Sequence, residues 1–342
     1  IYSFMYIEKN SLNKYICIWL YIMFWMISLM IVVGGLTRLT DSGLSITQWQ
    51  LFSGILPPFN ESQWLNYFNL YKQIPEFKLQ NYSMSLNEFK IIFWWEWGHR
   101  FLGRLIGICF LLPLIYFQIK LSFKKTISLF LIFILICFQG FLGWYMVSSG
   151  LVDRVDVSHF RLSAHLIIAF VILSLIYWNY LYFKQVTNSK KKISKYILII
   201  FIFLIFLQIS VGAFVAGMDA GKIYNSWPLM GLNFFPDDNN LLNLFKLSAF
   251  SDPSLVQFMH RNLAYFISIY YLLLIIKIIR NQLYEFYKPI IIVGIILLTQ
   301  ILLGILTLLF GAHIILASMH QISSIFLVSS SIYLLFFNTK IN

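Results

Sequence analysis

Trp94-Trp95-Glu96-Trp97-Gly98-His99-Arg100-Phe101-Leu102-Gly103-Arg104-Leu105-Ile106-Gly107 sets one carboxylate, one imidazole and two guanidiniums at the mouth of a long apolar run. Ionisable side chains in such a segment are costly and mark function. The run is long enough to cross a bilayer as a helix, for which roughly 20 residues suffice. The reading of this stretch decides the fold: a membrane helix with its polar groups gathered at one end.

The rest of the chain agrees. Its 342 residues are 60% hydrophobic and 11% charged, and the mean hydropathy is +0.78. Eight apolar runs of spanning length fall near 15–36, 95–118, 126–147, 162–183, 194–216, 257–280, 288–311 and 314–337. Long runs punctuated by Pro and Gly predict helices, because barrel strands read as short alternating segments. The expected fold is an all-α integral membrane protein.

The net charge of +12 does not point to nucleic acid, because it is one-sided. The chain ends and loops 2–3, 4–5 and 6–7 share one face of the membrane and carry the whole excess, with Lys14, Lys120, Lys190, Lys191, Lys192, Lys288 and Lys340 among its bearers. The opposite face sums to zero. The positive-inside rule then predicts both termini on the cytoplasmic or matrix side of a bacterial plasma membrane or mitochondrial inner membrane. The first span follows a short basic segment and reads as a signal anchor. Cys17, Cys109 and Cys137 all fall in predicted spans, with neither metal-ligand spacing nor a loop disulfide.

The sequence repeats itself. Gly34, Asp41, Gly43, Trp49 and Pro58 recur 178 residues later as Gly212, Asp219, Gly221, Trp227 and Pro236. His99-Arg100, Gln139 and Gly143 recur 161 residues later as His260-Arg261, Gln300 and Gly304, and His165 recurs 155 later as His320. The unit is four spans, so the chain divides at 1–190 and 191–342 into two pseudo-symmetric four-helix bundles. Four is even, so the bundles run parallel about an axis along the membrane normal. Every matched histidine then lies toward the outer side.

Loop 1–2 predicts structure of its own. Asn60 followed by Gln63 reads as a capped helix start, with Trp64, Tyr67, Phe68 and Tyr71 as an apolar stripe. Ser85-Leu86-Asn87-Glu88 reads as a capping box, so the second long helix begins before the bilayer and carries Glu96 and His99 inward.

His99, His165, His260 and His320 stand near the outer ends of spans 2, 4, 6 and 8. Each bundle offers two imidazoles from facing helices, which is where bundles hold cofactors. A neutral imidazole pair is an axial set for haem iron, whereas zinc asks for more nitrogen, sulfur or carboxylate donors. The expectation is two haem pockets, one per half. Arg38, Arg100, Arg104, Arg161 and Arg261 gather at the same interface and are candidates for binding haem propionates; simple snorkelling to headgroups is the competing reading. His159 and His313 are read as surface or hydrogen-bonding residues.

Glu96 breaks the symmetry, since Gln257 holds its place in the second half. A proton-carrying group is useful where chemistry occurs and unnecessary where electrons merely pass. Glu96 is thus the catalytic candidate and the first half the reactive one. The competing view is that it only neutralises Arg100.

The stretches Gly34–Ser45, Phe93–Gly107, Phe138–Val147, Arg161–His165, Gly217–Gly221, Tyr224–Gly231, Gln257–Arg261 and Ala317–Gln321 together resemble the heme A synthase family, in its alphaproteobacterial and mitochondrial form. The resemblance covers all eight spans. It implies oxidation of the C8 methyl group of heme O, through an alcohol and a hydrated aldehyde, to the formyl group of heme A for a terminal oxidase. It implies haem b on His260 and His320, and the farnesylated substrate on His99 and His165. Some bacterial members carry a cysteine pair in the first outer loop, which this chain lacks. Implied partners are heme O synthase, cytochrome oxidase assembly proteins, an unidentified electron donor, the lipid bilayer and a second copy of the chain. The rivals are a non-catalytic di-haem cytochrome b-type electron carrier, which leaves Glu96 and the loops unexplained, and a transporter, whose broken midplane helices are missing here.

Overall fold

Among the described residues the chain forms ten α-helices: α1 (Tyr2–Leu39), α2 (Glu61–Tyr71), α3 (Pro75–Leu79), α4 (Leu86–Lys120), α5 (Phe123–Asp153), α6 (His159–Phe183), α7 (Lys195–Gly217), α8 (Pro253–Arg280), α9 (Tyr287–Leu309) and α10 (Ile314–Phe337). The computed structural model describes residues 2–49 and 53–339, leaving aside the side chains of residues 2–11, Ser53 and Asp153; Lys340 lies outside the described residues. All helices except α2 and α3 are long and apolar enough to cross a membrane. They coincide with the eight predicted spans.

The helix ends differ from the hydropathy estimate because capping, not polarity, sets them. α4 begins at Leu86 rather than near 95: the Ser85 N–H donates to the Glu88 carboxylate at 2.8 Å and the Glu88 N–H to Ser85 Oγ at 3.4 Å. The orphan amides of the first turn are thereby satisfied. α9 stops at Leu309, where Gly311 and Ala312 turn to φ of 62° and 58°.

α1, α6, α7 and α10 form the centre, and α4, α5, α8 and α9 pack around them. The neighbour pattern of the first four spans recurs in the last four. α1 meets α4 and α6 as α7 meets α8 and α10, and α5 lies on α6 as α9 lies on α10. The core between the two sets holds Leu20, Met23, Phe170, Phe201 and Val328, all buried.

Lipid gives helices no hydrophobic reason to associate, so close packing and hydrogen bonds must hold them. Both are seen at the centre. Ser163 and Ser210 hydroxyls meet at 2.8 Å between α6 and α7. Between α10 and α1, the Gln321 amide donates to the Ile31 carbonyl at 2.8 Å. Gly35 makes that approach possible, because any Cβ there would overlap the Gln321 side chain.

Loop 1–2 folds as its sequence predicts. Asn60 accepts the Gln63 N–H at 2.9 Å, and the Gln63 side chain accepts the Phe59 N–H at 2.7 Å. Trp64, Phe68 and Tyr71 are buried on the first turns of α4, with Trp64–Phe93 and Phe68–Phe89 ring centres 4.9 and 5.1 Å apart. Beneath them Glu76 is buried, accepting from the Tyr71 hydroxyl at 3.0 Å and from Asn81 at 3.4 Å.

Burial raises the Glu76 carboxyl from its usual value near 4.5 to about 8, against the opposing pull of the Tyr71 hydrogen bond. A group raised in the folded state stabilises it fully below its unfolded value, and that stabilisation is lost as pH rises through the folded value. The α2–α3 hairpin should therefore loosen as pH climbs from about 4.5 through about 8. Hydrogen exchange across residues 61–81, corrected for intrinsic rates, should show this loosening, and Glu76→Gln should remove most of its pH dependence.

Candidate functional site

Each of the four histidines lies against a glycine of the preceding long helix. A Cβ on Gly34 of α1 would stand 3.3 Å from His99 Nε2, and one on Gly143 of α5 would stand 3.0 Å from His165 Cε1. On Gly212 of α7 it would stand 3.0 Å from His260 Cε1, and on Gly304 of α9, 2.9 Å from His320 Cε1. Glycine inside a helix costs about 1 kcal/mol relative to alanine. Here it gives each half-buried ring a seat against a neighbouring backbone.

A second residue completes the seat. One turn before each of three glycines stands a glutamine. Gln208 donates to the His260 carbonyl at 3.0 Å and lies 3.3 Å from ring Nε2. Gln139 donates to the His165 carbonyl at 2.9 Å. The Gln300 carbonyl accepts from His320 Nδ1 at 3.0 Å, and its amide lies 3.4 Å from Nε2. At His320 the carbonyl partner requires the proton on Nδ1, leaving the Nε2 lone pair for a metal.

The His260 and His320 rings face each other with centres 6.4 Å apart and planes at 77°. Two imidazole nitrogens bound to one ion from opposite sides, at about 2 Å each, bring the ring centres to about 6 Å. The spacing fits an iron between them. Among the described residues no cluster of three or more His, Cys, Asp or Glu could hold a metal ion. Two imidazoles then need equatorial donors from elsewhere, which a porphyrin supplies. By the repeat, His99 and His165 form the corresponding pair in the first four spans. No hydrogen bond to another described residue holds either of their rings.

The arginines have protein partners the sequence did not reveal. Arg38 is enclosed by Asp41 at 2.5 Å, Asp219 at 3.2 Å and Asp156 at 3.5 Å. Its charge is already matched by carboxylates. Asp41 and Asp219 are repeat mates, and both adopt left-handed φ, 47° and 52°, where α1 and α7 end. Arg100 donates to the Ile46 carbonyl at 2.9 Å and to Glu96 at 2.5 Å. Arg261 donates to the Tyr224 and Ser226 carbonyls, each at 2.9 Å. Arg161 reaches the Ser149 hydroxyl, and the Tyr145 hydroxyl at 3.4 Å. Arg104 lies one turn beyond Arg100 and is half-buried.

Glu96 is 2% exposed. One oxygen faces Arg100, and the other accepts from the Ser45 hydroxyl and the Ile46 N–H, both at 2.7 Å. Its repeat mate Gln257 donates to the Tyr224 carbonyl at 3.0 Å. Ile46 and Tyr224 are themselves 178 residues apart, so both side chains pin the same point of their loops. The carboxylate accepts from its loop where the amide donates to its own. Of the remaining histidines, His313 is exposed at the start of α10, and His159 packs on Phe214 of α7 with ring centres 5.6 Å apart.

A family model described as cytochrome oxidase assembly protein, COX15-CtaA, matches residues 17–332. A heme A synthase of Pelagibacter ubique is 47% identical over 340 residues, covering 98% of this chain and all of that relative. One from Rickettsia bellii is 44% identical over 94% of this chain and 98% of its own, and one from Wolbachia pipientis 41% identical over 97% and 96%.

The glycine seats lend themselves to a direct test. Gly304→Ala should displace the His320 ring and lower the haem retained by the purified chain several-fold. Gly107→Ala, where a Cβ meets nothing within 4 Å, should leave it unchanged. Pyridine haemochrome spectra read both.

Proposed function

The chain belongs to the COX15-CtaA family of cytochrome oxidase assembly proteins, and we propose that it makes heme A for a terminal oxidase by oxidising the C8 methyl group of heme O to a formyl group. It is a multi-pass membrane enzyme with heme O as substrate and heme A as product. The observation that carries the reading at residue level is the facing pair His260 and His320, backed by Gly212 and Gly304.

In this reading residues 191–342 hold haem b on His260 and His320, and residues 1–190 receive heme O with its iron between His99 and His165. Haem b, when bound, supplies one-electron transfer. The remaining tasks fall to side chains. The Gln300 carbonyl keeps the His320 proton on Nδ1. The farnesyl tail of heme O lies along the apolar faces of α1, α4, α5 and α6. Arg161 and Arg104 are the propionate partners; the hydroxyls around Arg161 are neutral and can yield to an anion. Arg100 and Arg261 serve chiefly to pin loops. Glu96 acts as a positioning residue that keeps Leu44–Ile46, all buried, closed over the first pocket and away from water. The termini face the cytoplasm or matrix, the histidines lie toward the outer side, and heme O synthase is the supplier.

Haem extraction after co-expression with a heme O source tests the whole reading. His99→Ala and His165→Ala should keep haem b and make no heme A, whereas His260→Ala and His320→Ala should lose haem b. Two tightly held haems b without any heme A would overturn it.

Glu96 has its own discriminating pair. Removing one partner of a buried ion pair costs about 3–5 kcal/mol, so Glu96→Ala should lower both the melting temperature and turnover. Glu96→Gln reproduces the second half's arrangement and should keep most of the turnover. A folded Glu96→Gln chain that holds haem b and makes no heme A would restore the proton-carrying role.

A further inference from the structure

The helix ends remote from the histidines enclose a second polar site. A cavity of about 740 Å³ lies there among the starts of α1 and α5 and the ends of α6 and α10, with Asn13, Lys125, Asn188, Lys190, Lys192 and Thr339 in its walls. Three of its lining residues are lysines and none is acidic. Lys192 is fixed by donating to the Thr339 carbonyl at 2.8 Å, whereas Lys125 and Lys190 are exposed. Glu285 takes the Lys190 N–H at 2.9 Å and the Ser189 hydroxyl, but does not line the cavity. The Asn188 amide donates to the Thr339 hydroxyl at 3.5 Å, and its Oδ1 is buried without a hydrogen-bond partner. A buried acceptor is costly until a donor reaches it. The wall therefore offers positive charge to an anion and an acceptor to a hydroxyl.

A cavity of about 520 Å³ adjoins the first and shares Asn13, Phe183 and Gln185 with it. It adds two lysines, Lys14 and Lys184, and continues along α1 past Cys17 and Ile18 to Tyr21. Ile18 and Tyr21 are about half exposed and belong to the apolar run of α1. Lysines that give way to an exposed apolar helix face match a phospholipid in order, phosphate first and acyl chain after. A free anion would make no use of the apolar side. The lysine excess of this face serves orientation, but orientation requires no cavity, and Lys277 and Lys288 of the same face line neither one. Basic pockets between membrane helices recognise anionic headgroups. We propose that the two cavities form one site for a phospholipid whose two phosphates are joined by a hydroxyl-bearing glycerol, the diphosphatidylglycerol class. One phosphate meets Lys125, Lys190 and Lys192, the other meets Lys14 and Lys184, and the headgroup hydroxyl donates to Asn188 Oδ1. Lys125 belongs to the first four spans, and Lys192 and Thr339 to the last four. The lipid thus bridges the two halves at the end away from the histidines.

Lipid retention by the full chain tests this. The purified chain, stripped of lipid in detergent with its haem retained, is titrated with tetraoleoyl diphosphatidylglycerol, and bound lipid is counted by native mass spectrometry. One lipid should bind per chain, more tightly than dioleoyl phosphatidylglycerol. A lysine beside an anionic headgroup is worth about fivefold in affinity. Lys125→Gln combined with Lys190→Gln should therefore weaken binding about 25-fold, and Lys14→Gln combined with Lys184→Gln by a similar factor. Haem content should be unchanged in both, which shows the fold intact, and Lys125→Arg combined with Lys190→Arg should bind as the parent does. Lys277→Gln combined with Lys288→Gln removes the same charge from the same face and should bind as the parent does. Equal weakening by that control pair overturns the proposal, because the attraction would belong to the whole face. Equal affinity for phosphatidylglycerol overturns it too, since the second phosphate would have no role. Displacement of the lipid by millimolar inorganic phosphate also overturns it, because the site would then be one for a free anion.

Discussion

The constraint on which the rest depends is the seating of an imidazole ring between two helices in lipid. Helices there gain little from mutual hydrophobicity, so their separation is set by the side chains between them. A ring that must present one nitrogen to a pocket cannot also act as a spacer. The chain resolves this four times in one way, by removing the side chain opposite: Gly34, Gly143, Gly212 and Gly304 all lie within van der Waals reach of a histidine ring. Once the glycine position is fixed, the residue one turn earlier lies beside the same histidine. That geometry puts Gln139, Gln208 and Gln300 within reach of their histidines.

The same duplication governs the loops. Arg100 and Arg261 make equivalent bonds, each 2.9 Å, to the carbonyls of Ile46 and Tyr224. The loops diverge after that point, and the second anchor diverges with them. In the first half the Ile46 N–H and the Ser45 hydroxyl need an acceptor, and a carboxylate provides it. In the second half a carbonyl needs a donor, and an amide provides it. An unduplicated charge in a duplicated protein invites a catalytic reading, but the hydrogen-bond polarity of the partner decides whether that reading is required.

Most of the architecture was legible because lipid enforces it. Only helices satisfy the backbone across a bilayer from within one segment, so the eight apolar runs could become little else. The caps at Asn60 and Ser85 were legible for a local reason: each is settled within four residues. The partners of the arginines were not. Asp41, Asp156 and Asp219 come from three separate loops, and nothing in their spacing announces that they converge on Arg38. The glycine seats lay between these cases. The repeat had already aligned Gly143 with Gly304 and Gly34 with Gly212, but alignment shows that a position matters without saying what lies opposite.

Gly35 shows how the two halves are joined without being made equivalent. Gly34 and Gly35 point to different sides of α1: the first faces His99 within its own set of helices, and the second accommodates Gln321 from α10. Gln321 follows His320 directly and bonds to the Ile31 carbonyl, one turn from Gly35. At the pseudo-equivalent crossing of α6 and α7, Gly35 is replaced by Ala213 and Gln321 by Leu166, and two serine hydroxyls meet instead. One of the two central crossings therefore borders one histidine of each pair, and the other joins the halves through small hydroxyls. Duplication gave the protein two similar pairs. The departures from symmetry along α1, at Gly35 and Arg38, are where the first pair acquires surroundings of its own.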